Sequence, residues 1–85
     1  MNIYIMKNFT LREVYFGLTE DDCRSAVSGH KETSDSPVGH WKFDEEKIQW
    51  GEIQTDLAEG VAHSFIQALR REPQDDGWVV VVGME

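Results

Sequence analysis

Cysteine is nearly absent from this chain: among 85 residues only Cys23 carries a thiol. An internal disulfide is therefore excluded, and packing alone must stabilise the fold, which points to a reducing, cytoplasmic setting. Long apolar runs are missing too. The longest, Trp78 to Val82, falls far short of the ~20 residues a membrane helix needs, and the apolar start of the chain is too short for a signal peptide. Basic residues are few, with 8 Lys and Arg against 16 Asp and Glu, for a net charge of −8. Tight non-specific nucleic-acid binding rests on neutralising phosphates with Lys and Arg, so this balance disfavours it. A phosphate-cradling glycine loop and a nucleophile elbow are also lacking.

What is present is globular in composition, with 40% hydrophobic and 28% charged residues. The length fits one domain spanning residues 1–85, since domains begin near about 50 residues. Three Trp, four Phe and two Tyr supply the large buried areas that a small core needs.

The pattern along the chain predicts a small mixed sheet with an N-terminal antiparallel hairpin and two packed helices, in the order β-β-α-β-α-β, an α+β fold. Asn2–Lys7 and Glu13–Leu18 read as strands, and the short Asn8–Arg12 link makes them hairpin partners. Thr19 is placed to cap a first helix, with Glu20, Asp21 and Asp22 in its first turn and Gly29 as its stop after Val27 or Ser28. His30–Gly39 reads as a loop. Trp41 and Phe43 alternate with polar residues, as a short strand or an ordered loop.

Lys47–Gln54 forms the next strand, with Gly51 as a candidate bulge. Thr55 or Asp56 caps the second helix, and Asp56 with Glu59 has capping-box spacing. Leu57, Val61, Phe65, Ala68 and Leu69 recur at helical spacing as its buried stripe. Pro73 ends this helix, Gln74–Gly77 turns, and Trp78–Val82 is the last strand.

Two tyrosine motifs stand in the hairpin. Asn2-Ile3-Tyr4 and Tyr15-Phe16-Gly17 are separated so that ten residues lie between the tyrosines. With the element order, over roughly the first 72 residues, these motifs resemble the GIY-YIG nuclease domain. That resemblance implies metal-assisted phosphodiester hydrolysis. A strand tyrosine would orient or deprotonate the attacking water, an arginine on the first helix would stabilise the phosphate, and a glutamate on the second helix would hold Mg²⁺.

On this chain the candidate catalytic residues are Tyr4, Tyr15 and Arg24. The candidate binding set adds Gly17 and His63. Two departures bear on activity. Arg24 lies one residue early, about 100° of helix rotation from the family's arginine. His63 stands where the glutamate belongs, and imidazole is a poor Mg²⁺ ligand. Glu59 is the nearest carboxylate, but it sits in the first turn of the helix. His30, His40 and His63 with Cys23 match no zinc spacing, and three acidic neighbours oppose thiolate formation at Cys23.

The expectation is a degenerate, non-catalytic domain that binds a protein partner or a small anion, with no cofactor and no metal. A divergent endonuclease using Mg²⁺ and an unrelated small α+β regulatory protein are the alternatives.

Overall fold

Residues 3 to 6, Ile-Tyr-Ile-Met, carry large apolar groups on both faces of one strand, because side chains alternate along an extended chain. Such a strand needs a cover on each side. A computed structural model describes residues 1–32 and 38–81 and has that arrangement. Strand β1 is Asn2–Asn8 and β2 is Glu13–Thr19. Helix α1 is Cys23–Glu32, strand β3 is Ile48–Gln54, and helix α2 is Glu59–Leu69. A short helix α3, Arg71–Asp75, leads into β4, Val79–Val81.

The sheet order is β3-β1-β2-β4. β1 pairs antiparallel with β2 and with β3, while β4 runs parallel to β2. The α+β fold with a mixed sheet and an N-terminal hairpin is thus as the pattern predicts. No described helix is long and apolar enough to cross a membrane.

Two cores separate by strand parity. On one face Tyr4 and Met6 pack with Cys23 and Val27 of α1 and with Val38 and Trp41. On the other, Ile3, Val14 and Phe16 pack with Ala62 and Ile66 of α2. The sheet therefore lies between its two long helices.

The hairpin is closed by a fully buried polar residue, Asn8. Its Oδ1 accepts the backbone N–H groups of Thr10 and Leu11, both at 3.0 Å, and its Nδ2 donates to Glu46 at 3.0 Å. Buried amides are tolerated when paired in this way. Residues 38–46 follow α1 as a series of turns, which makes the Trp41–Phe43 segment an ordered loop. Residues 33–37 of the expected His30–Gly39 loop, and Val82 of the expected last strand, lie outside the described residues.

Several expected boundaries move. Thr19 does not cap α1, because it is the last rung of the hairpin, opposite Asn2. Asp22 takes the cap, its carboxylate accepting the Ser25 backbone N–H at 3.1 Å. The helix then runs through Gly29 to Glu32, so His30 is helical.

The shift of register in β3 falls between Glu52 and Gln54 rather than at Gly51, which pairs regularly with Ile5. This places Ile53 in the core beneath α2. Asp56 adopts a left-handed φ of 59°, and the residue before α2 is Ala58, with no side-chain cap. Of the expected stripe, Leu57 and Leu69 pack against the core, but the buried residues of α2 are Ala62 and Ile66, whereas Val61 is 54% and Phe65 39% exposed and Ala68 is exposed too. Pro73 lies inside α3, in its first turn, where a missing N–H costs nothing.

Candidate functional site

The tyrosine motifs meet through strand register. Tyr4 stands opposite Gly17 in the hairpin. Its phenol lies across that glycine, and a Cβ at position 17 would overlap the ring. Gly17 is therefore the floor under Tyr4. The ring of Tyr15 meets the Tyr4 ring edge-on, with centroids 6.2 Å apart.

Helix α1 supplies the third member. Cys23, Val27 and His30 recur at helical spacing, so the same face that buries the thiol and the valine carries His30 to the tyrosines. The Tyr4 hydroxyl and His30 Nε2 share a hydrogen bond of 2.6 Å. The imidazole lies 5.3 Å from the Tyr15 ring centroid and 5.9 Å from that of Tyr4. Its Nδ1 is buried without a hydrogen-bond partner among the described residues.

Burial governs the protonation of this cluster. Tyr4 is only 2% exposed. Desolvation, followed by the charge and hydrogen bond of Tyr15, pushes its phenol well above the ordinary tyrosine value. Burial pulls His30 below the ordinary histidine value, so the imidazole stays neutral near pH 7. The Cys23 thiol is buried beside the cluster and pushed up, first by desolvation and then by the Glu52 carboxylate. A thiol in that state is a poor nucleophile.

The other candidates lie elsewhere. Arg24 is exposed on α1, one position round from the buried Cys23. His63 is on α2, across the sheet from the tyrosines, with Glu59 Oε1 4.0 Å from its Nε2. Tyr4, Tyr15, Arg24 and His63 thus line no common pocket, and the structure joins Tyr4, Tyr15 and Gly17 with His30 instead. Among the described residues, no three His, Cys, Asp or Glu side chains are grouped as a metal site.

Two contributors escape a linear reading. His30 is one, and its signal is the 23, 27, 30 spacing once the helix is allowed past Gly29. Glu52 is the other: it pairs with Tyr4 across β1 and β3, and only the register shows this.

The rim of the cluster is pinned by Glu13. Its Oε1 accepts from Trp41 Nε1 at 2.9 Å and lies 2.6 Å from His40 Nε2. Burial alone would raise this carboxyl, but the bonds to Trp41 and His40 outweigh it and hold Glu13 below the ordinary value. His40 is thereby tied to the start of β2.

No family model, curated protein or solved structure matches the chain.

Proposed function

We propose that this chain is a non-catalytic, GIY-YIG-like domain that acts as a binding module for a protein partner. The observation that carries the reading is the hydrogen bond between the buried Tyr4 and the half-buried His30. A general base must reach the water it activates and must release its own proton near the working pH. Tyr4 sits inside the core, and its raised pKa depletes the phenolate. The tyrosine pair, the glycine beneath it and the helix histidine serve as a packing unit that joins α1 to the hairpin.

Arg24 on the solvent side of α1 and a histidine at position 63 support the same reading. A protein partner is favoured over a small anion, because the four candidate residues do not converge. A cytoplasmic setting goes with the reading, since the sole cysteine is a buried thiol.

The test is cleavage of plasmid and branched DNA with Mg²⁺ or Mn²⁺. No nicking is expected. Metal-dependent nicking that disappears in Tyr15→Phe would overturn the proposal in favour of a divergent endonuclease.

A further inference from the structure

The face of the sheet away from the tyrosines carries a groove of ≈ 260 Å³. Ile5, Phe16, Ile53 and Leu69 give it apolar walls, and Trp78 adds an indole face. Lys7 reaches that indole, with its ammonium 5.7 Å from the ring centroid. The exposed carboxylates Glu72 and Asp76 line the same groove.

A second hollow of ≈ 250 Å³ lies beside Phe65 and Ala68, and it shares Leu69 and Glu72 with the first. The two are therefore halves of one furrow over the end of α2. Phe65 lines this second hollow, and Val61, one helical turn earlier on α2, is exposed as well. Arg70 and Arg71 line neither half.

We propose that this furrow docks a cationic amphipathic helix of a partner protein. Two large apolar side chains of that helix would fill the two hollows, and its Lys or Arg residues would meet Glu72 and Asp76. Helix-in-groove recognition sets apolar side chains at i, i+3, i+4 and i+7 of an amphipathic helix into such a surface. Each hollow falls just below the ~300 Å³ at which small-molecule pockets begin, which suits two side chains better than one compact ligand.

Charge selects among the occupants. Each copy of the chain carries −8, so pairing two copies through this face would set like charges together. An anionic lipid surface is repelled for the same reason. A basic helix is attracted.

The proposal builds on the reading of the chain as a binding module, but its test involves no DNA, so the two stand or fall separately. The probe is a synthetic helical peptide with Leu at i, i+4 and i+7 and Lys at the remaining positions, titrated against the ¹⁵N-labelled chain. A twin peptide with Glu in place of Lys is the control. The Lys peptide is expected to shift the amides of Phe65, Leu69 and Glu72 and the indole N–H of Trp78.

Glu72→Lys with Asp76→Lys, both at exposed positions, is expected to weaken binding about tenfold or more, as loss of close charge pairs does. Equal binding of the Glu twin would overturn the proposal. So would absence of shifts, shifts confined to the acidic 44–46 turn, or sedimentation showing a dimer of the native chain that Phe65→Lys converts to monomer.

Discussion

Gly17 offers the sharpest test of how the tyrosine cluster is built. Replacing it with Ala puts a methyl group into the space held by the far edge of the Tyr4 ring. An exposed ring would swing aside cheaply. Tyr4 is 2% exposed and is hemmed in by Tyr15, His30, Val27 and Trp41, so it has nowhere to go. Overpacking of this kind costs about 1–3 kcal/mol. Displacing the phenol also loses its bond to His30, about 1 kcal/mol more.

The backbone at Gly17 is not in the left-handed region, so Ala returns roughly 0.4–1 kcal/mol by restricting the unfolded chain. The net expectation is a loss of about 1–3.5 kcal/mol, a large share of the stability of so short a chain. Urea unfolding followed by far-ultraviolet circular dichroism measures it as a lower midpoint at constant slope.

A double-mutant cycle isolates the cause. Tyr4→Leu removes the atoms that the new methyl would strike, so Gly17→Ala in that background should cost almost nothing. The coupling energy should be about 2 kcal/mol. A single-variant loss below about 0.5 kcal/mol, or strict additivity of the two changes, would refute the contact as the reason for the glycine.

The remaining predictions concern the second helix and the buried phenol. Ile66→Ala should cost about 2–4 kcal/mol as a core truncation, while Phe65→Ala should cost less than about 1 kcal/mol; equal losses in urea midpoints would mean that α2 is rotated. Because the folded-state pKa of Tyr4 lies above the ordinary value of 10.0, its contribution is fully present below about pH 10 and is lost as pH rises beyond it, where the unfolded chain releases the proton first. Urea midpoints should therefore fall above pH 10 in the native chain and fall less steeply in Tyr4→Phe; parallel profiles would show that Tyr4 is not shifted.

The hairpin was legible because local signals and the tertiary demand agree there. Apolar strands flank a short link, and Asn8 supplies the turn chemistry that closes it. The helices were legible in kind but not in phase. In α2 two apolar sets differ by one residue, Val61–Phe65–Ala68 and Ala62–Ile66–Leu69. Total side-chain volume does not separate them, and packing on the sheet chooses the second, which leaves Phe65 and Ala68 of the first to line the furrow.

In α1 the local pattern placed the cap at Thr19 with the acidic run in the first turn, and strand pairing overrode it. Thr19 is consumed by the last rung of the hairpin, so the start moves to Asp22. Gly29 lowers helix propensity by roughly 1 kcal/mol, which the buried contacts of Cys23 and Val27 and the bond of His30 outweigh.

That last shift explains why the site was only half visible. With α1 ended at Gly29, His30 falls in a loop and Tyr4 lacks its partner. With α1 continued, His30 joins the Cys23 and Val27 face and arrives at the hydroxyl. The two tyrosines and Gly17 then acquire a purely mechanical rationale: an aromatic ring laid across the opposite strand requires glycine on the facing rung, whatever chemistry follows. The motif spacing therefore cannot by itself separate a nuclease from a module built on the same hairpin. What separates them is phase and charge around it. In the nuclease family that the motifs resemble, the tyrosine would work with an arginine on the first helix and a carboxylate on the second. Here Tyr4 is buried with its hydroxyl bonded to His30, Arg24 faces water, and position 63 bears an imidazole across the sheet.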